Sequence, residues 1–155
     1  MNAIMKQALE RARKTMNANF GGPFGAAIVD KNGEIIAVNS NSVLRDNDPT
    51  AHAEMNTIRE ASKKLGTYDL ANCVLYTTAY PCPMCLSAII WANIKKVYFG
   101  CNLEDAKKIG FKDDYIYHFI NNQCTDKKTL EIQPLDRENC ITLFEEYAKK
   151  NKKIY

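Results

Sequence analysis

Two short stretches limit how this chain can fold more than anything else in it: Pro81-Cys82-Pro83-Met84-Cys85 and Thr50-Ala51-His52-Ala53-Glu54. Each reads as the start of a helix, and if one ion takes donors from both, the two helix starts must meet. A C-x-x-C pair alone fits a redox pair, half a zinc finger or part of a catalytic metal site. A finger places two histidines, three to five residues apart, about 12 residues beyond the second cysteine. Here 32 residues separate Cys85 from the lone His118. A thioredoxin-like pair leaves His52 and Glu54 without a role. One imidazole and two thiolates favour zinc over oxygen-preferring ions, and a helix N-terminus draws a thiol toward the thiolate that zinc needs. Three protein ligands leave the fourth tetrahedral position to water, as in catalytic zinc sites. The expected cofactor is one Zn2+ per chain, on His52, Cys82 and Cys85. Glu54 is expected to move protons, because water on zinc ionises at about pH 7 and its proton needs an acceptor. Residues two apart do not share a helix face, so His52 and Glu54 should approach the water from different sides.

The rest of the pattern says what carries these stretches. Met5, Leu9, Ala12 and Met16 recur at helical spacing, predicting a helix over residues 2–17 that Gly21-Gly22-Pro23 breaks. Phe24 to Val29 reads as a buried strand, Asp30-Lys31-Asn32-Gly33 as a hairpin turn, and Glu34 to Asn39 as the returning strand. Asp48 is expected to cap a helix with Pro49 in its first turn, running to Leu65 and stopping at Gly66. A strand over Cys73–Thr78, a helix over Pro81–Ala92 and a strand over Lys96–Gly100 follow. Residues 101–128 hold short helical turns, Thr129–Pro134 is expected to add a last strand, and Asp136 to cap a final helix through Leu143, Phe144 and Tyr147. The expectation is a single α/β domain over 1–155, a three-layer α/β/α sandwich on a mixed five-stranded sheet.

At 155 residues the chain has the length of one domain with one core, enough to bury about two thirds of its unfolded surface and leave a small pocket. A net charge of +3 is too small to argue for nucleic acid, and Lys149-Lys150-Asn151-Lys152-Lys153 reads as a solvated helix end. The N-terminus has no signal-like apolar run and no stretch approaches the length of a membrane span, so a cytoplasmic protein is expected. Six cysteines without a signal peptide point to metal or reduced thiols, with Cys73, Cys101, Cys124 and Cys140 as packing residues.

The pattern H-x-E…P-C-x-x-C is the signature of zinc nucleobase deaminases. The chain resembles the cytidine deaminase-like superfamily along nearly its whole length, and more narrowly the small bacterial guanine deaminases. The likeness rests on Gly21-Gly22-Pro23-Phe24-Gly25-Ala26, on Asn47-Asp48-Pro49 leading into His52-Ala53-Glu54, on Pro81–Cys85, and on Gly110-Phe111-Lys112-Asp113-Asp114-Tyr115-Ile116-Tyr117. It implies hydrolysis of guanine to xanthine and ammonia. It also implies Asp113 as a second acid, a purine held by Phe24, Asn41, Ala53, Trp91 and Asp113, and a homodimer whose exchanged C-terminal segments bring Tyr155 over the partner's site. Tyr80 replaces the Glu usual before Pro81, and Ser87 stands where Gly is common after Leu86. The rival readings are a tRNA adenosine deaminase, whose family has Pro-Val-Gly-Ala at 23–26 and no Gly-Phe-x-Asp, or another nucleobase or nucleoside deaminase. A noncatalytic zinc module stapling two helices is the rival from another class.

Overall fold

Asn2 opens the first helix: its side chain accepts from the backbone N–H groups of Ile4 and Met5, and α1 runs Ala3–Asn17. The structure, a computed structural model, describes residues 1–155. Two units form, Met1–Tyr117 and His118–Tyr155.

The first unit holds the sheet. Strands β1 (Gly25–Val29) and β2 (Ile35–Ser40) make the expected hairpin. Its turn is not the two-residue Asn-Gly type. Gly33 N–H donates to Asp30 O, Gly33 alone turns left-handed at φ 84°, and the Asp30 carboxylate accepts from Asn32 and Glu34 N–H. That is a type I turn closed by a glycine, the alternative that Asp-x-Asn-Gly also encodes. β3 (Val74–Ala79) lies antiparallel to β1, and β4 (Lys96–Cys101) pairs with β3 in parallel across the intervening α4 (Pro83–Trp91). The sheet is mixed, in the order β2-β1-β3-β4.

Consecutive strand residues face opposite ways, and β2 shows what covers each face. Thr15 of α1 donates to Ser40 Oγ at 2.8 Å, while Asn39 Nδ2 donates to Glu60 Oε2 at 2.5 Å on α3 (Ala53–Leu65). Helix α1 therefore covers one face and α3 the other, where α4 joins it. The main core lies on that second side: Ile28 and Leu75 from the sheet, Ala61 from α3, Ile89 from α4, and Leu70 from the loop between. Each of the larger side chains contributes roughly 1.5–3 kcal/mol by leaving water. No helix is long and apolar enough to cross a membrane.

The structure departs from expectation at several points. The sheet has four strands, not five, because Thr129–Pro134 forms none. Asp126 instead takes the Lys128 N–H and the Thr129 hydroxyl, its carbonyl accepts from Leu130, and Leu130 and Ile132 stay exposed. A short segment without a neighbouring strand or a face to bury does not make a strand. Asp48 does not cap the long helix; it closes a turn, accepting from Thr50 N–H and Oγ1 at 2.8 and 2.7 Å, and α3 starts only at Ala53 with His52 in the cap position. A four-residue helix α2 (Val43–Asp46) lies where no element was expected. Residues 101–128 hold α5 (Leu103–Lys108) and α6 (Asp114–Asn121).

In the second unit α7 (Arg137–Lys149) buries none of its residues, and Leu143 and Phe144 are exposed. Asp136 precedes it in the left-handed region without a side-chain cap bond. Tyr147 OH donates to Lys153 O at 2.6 Å, which turns the chain end back along the helix.

Candidate metal centre and cavity

The displaced start of α3 is what aims His52. As the cap residue its backbone is extended, φ −70° and ψ 158°, which takes the imidazole out of the helical array. Cys82 occupies the same position on α4, with Pro83 as the first helical residue, and its Sγ accepts from Cys85 N–H at 3.4 Å. The two helix starts meet as the sequence requires. His52 Nδ1 lies 3.5 Å from both Cys82 Sγ and Cys85 Sγ, and all three donor atoms lie within 4.8 Å of one another. Bonds of about 2.3 Å to sulfur and 2.0–2.1 Å to nitrogen at tetrahedral angles put the two donors about 3.6 Å apart. The donor set and its spacing therefore fit zinc, with Nδ1 as the facing nitrogen. The cluster stops at three ligands.

The Cys82 thiol is lowered to about 4, first by the Cys85 thiol donating to it and further by His52. Cys85 is pushed up by the same hydrogen bond and by burial. The Cys82 contact also raises His52. Metal binding by this set must release protons, which makes affinity fall as pH falls.

Glu54 follows His52 by two residues and is 6% exposed. Thr77, at the centre of the sheet, donates its hydroxyl to Glu54 Oε1 at 2.8 Å, while Oε2 lies 3.5 Å from Cys85 Sγ. Burial raises the carboxyl, and a neighbouring dication acts in the opposite sense.

A cavity opens beside these groups, lined by Phe24, Asn41, His52, Glu54, Ala79, Tyr80, Cys82, Phe111 and Asp113. Asn41 is 5% exposed, and its Oδ1 accepts from Gly22 and Val43 N–H at 3.2 and 3.1 Å. With the oxygen engaged by two donors, the amide nitrogen is the end left for the cavity. Gly21 permits this arrangement: a Cβ there would stand 2.1 Å from Asn41 Oδ1. Phe24 and Phe111 meet edge to face, centroids 4.8 Å apart. Asp113 precedes α6 and is half-buried, its carboxyl raised first by desolvation and then by Cys82. Its neighbour Asp114 is engaged elsewhere, 2.8 Å from Lys107 Nζ. A recess of ≈ 280 Å³ shares His52, Cys82 and Asp113 with the cavity and continues past Lys112 and Tyr115.

The structure thus gathers Phe24, Asn41, His52, Glu54, Cys82 and Asp113 in one place, with Cys85 beneath. Ala53 is buried and off the cavity wall, and Trp91 ends α4 at 73% exposure, away from the cavity lining. Tyr155 belongs to the second unit and is 80% exposed. Tyr80 is on the cavity wall, edge to face with Phe99, and Ser87 donates to Pro83 O within α4. Sequence reasoning missed Thr77 and Ala79, which strand alternation places on one face, and Tyr117. The Tyr117 hydroxyl donates to Pro81 O at 2.8 Å and is pushed up to about 12, mainly by desolvation. That bond ties the Asp113 segment to the loop that bears Cys82.

Residues 1–101 match the family model of the cytidine and deoxycytidylate deaminase zinc-binding region. A guanine deaminase of Bacillus subtilis is 43% identical over 153 residues, covering 98% of this chain and 97% of its own. The X-ray structure of guanine deaminase from that organism superposes with a TM-score of 0.92 at 42% identity, over 100% of this chain and 99% of the other. A tRNA-specific adenosine deaminase of Buchnera aphidicola is 36% identical over 127 residues, 82% of this chain and 80% of its own.

Proposed function

The chain belongs to the cytidine and deoxycytidylate deaminase zinc-binding family, and from that premise we infer that it hydrolyses guanine to xanthine and ammonia. The observation that carries the reading is the convergence, on one small cavity, of the three-ligand cluster, two carboxylates and the Asn41 amide. Similarity to the Bacillus guanine deaminase along almost its entire length supports guanine over the other bases.

His52, Cys82 and Cys85 would hold zinc, which would supply the acidity that lets a water ionise near neutrality. The chain's own groups do the rest. Asn41 donates from Nδ2 to an acceptor on the base and fixes its in-plane orientation, while Phe24 and Phe111 provide the apolar walls that a flat ring needs. Glu54 takes the proton of the attacking water and hands it to a ring nitrogen, which makes C2 electrophilic. The exocyclic amine leaves badly until it is protonated, and Asp113 is the second acid for that step. Water adds at C2, the C2–N bond breaks as Asp113 protonates the amine, and the adduct's hydroxyl proton, lost as the C2 carbonyl forms, restores Asp113; one water proton thus ends on the ring nitrogen and the other in ammonia.

The same reading includes a homodimer with exchanged C-terminal segments. Leu143 and Phe144 of α7 are exposed, as are Trp91, Tyr98 and Phe99 of the sheet unit, and a second copy offers each surface an apolar partner. Exchange would bring Tyr155 over the partner's cavity as a lid. The thiolate ligands suit a reducing compartment, and we place the protein in the cytoplasm.

Ammonia release by the zinc-loaded protein from guanine, guanosine, adenine, cytosine, cytidine and tRNA tests the reading. Guanine should be the preferred substrate by at least about tenfold. Faster turnover of an adenosine in a tRNA anticodon loop would transfer the chain to the adenosine branch. No ammonia from any of them would leave a noncatalytic zinc module.

A further inference from the structure

The carboxylate of Glu54 must hold one oxygen toward the cluster to collect a proton there, yet a glutamate has three rotatable bonds. Two side chains reach it. Cys85 Sγ lies 3.5 Å from Oε2, and Thr77 Oγ1 donates to Oε1 at 2.8 Å. As a metal ligand Cys85 is a thiolate and has no proton to give. The Thr77 hydroxyl is then the remaining side-chain donor to this buried carboxylate. Its own setting is rigid. Thr77 is 1% exposed on the inner strand β3, paired with Ala26 on one side and Phe99 on the other. A β-branched side chain has few rotamers there, and the single hydroxyl proton favours Glu54 Oε1 at 2.8 Å over the competing acceptor Ala79 O at 3.1 Å.

Resting on the reading of Glu54 as proton carrier, we propose that Thr77 is the positioning residue of that carrier. It anchors Oε1 in the sheet so that Oε2 faces the ligand cluster. It touches neither substrate nor metal and acts only through Glu54.

Thr77→Val keeps the shape and removes the donor; Thr77→Ser keeps the donor. Thr77→Val should bind zinc like the parent, retain KM for guanine within about threefold, and lose kcat by about tenfold to a hundredfold, the effect of one hydrogen bond to a charged group. Thr77→Ser should recover most of that loss. A crystal structure of zinc-loaded Thr77→Val should show the Glu54 carboxylate turned from its parent orientation or split between two. If the valine variant does not fold, Thr77→Ala takes its place in each measurement. A kcat within about threefold of the parent, an equal loss in the serine variant, or an unmoved Glu54 would overturn the proposal. If the parent itself leaves guanine untouched, the substrate reading fails, while the Glu54 orientation in the two crystals still decides the role of Thr77.

Discussion

Replacing Asn41 with aspartate changes one atom's chemistry and almost no volume. The retained oxygen still accepts from Gly22 and Val43 N–H, so the loop that carries residue 41 keeps its two anchors. What changes is the end facing the cavity: the Nδ2 donor becomes a second carboxylate oxygen, in a cavity already lined by Glu54 and Asp113. The base loses one hydrogen bond, about 1 kcal/mol net, and its ring acceptor now meets a lone pair across a desolvated gap, about 2 kcal/mol more. The expected loss in kcat/KM for guanine is about a hundredfold. Steady-state xanthine formation gives the number, zinc content and thermal midpoint check that the site and fold survive, and Asn41→Leu separates loss of the donor from added charge. A kcat/KM within about threefold of the parent would refute the placement of the base against Asn41.

Three further expectations follow from the same geometry. Glu54→Gln should keep its zinc, measured by metal analysis, and lose about 10²–10⁴ in rate, the range for general acid–base catalysis; a loss below tenfold would remove Glu54 from proton transfer. Asp113→Ala should cripple guanine turnover, while Asp114→Ala, whose carboxylate pairs with Lys107 outside the cavity, should stay within about threefold of the parent; equal losses would contradict the assignment of Asp113. Deleting residues 152–155 should lower activity with zinc retained and leave a dimer by sedimentation; full activity would dispose of the lid.

How much of this was legible in the sequence depends on how local the governing interaction is. The His52, Cys82 and Cys85 cluster could be read because thiolates and an imidazole at helix starts have few other uses. The first three strands, the first helix and the Gly66 stop followed from periodicity and turn chemistry. The start of α3 was misplaced because Asp48-Pro49-Thr50 satisfies a helix cap and a turn equally well, and the turn wins through the Thr50 hydroxyl. The fifth strand failed for the opposite reason, since Thr129–Pro134 has strand composition but finds no strand to pair with. Motif reading preferred Asp113 to Asp114, and the structure puts the former on the cavity lining while the latter pairs with Lys107. Thr77 was invisible: a threonine in a central strand is ordinary until Glu54, 23 residues earlier, is placed against it.

Zinc titration of metal-free protein, with bound metal and xanthine formation followed in parallel, addresses the centre of the account. A hydrolytic three-ligand site requires guanine turnover to rise linearly with zinc and level off at one ion per chain, while Cys85→Ala neither holds the metal nor forms xanthine. Full turnover in the metal-free chain, or a chain that fills with one zinc and forms no xanthine, would contradict it.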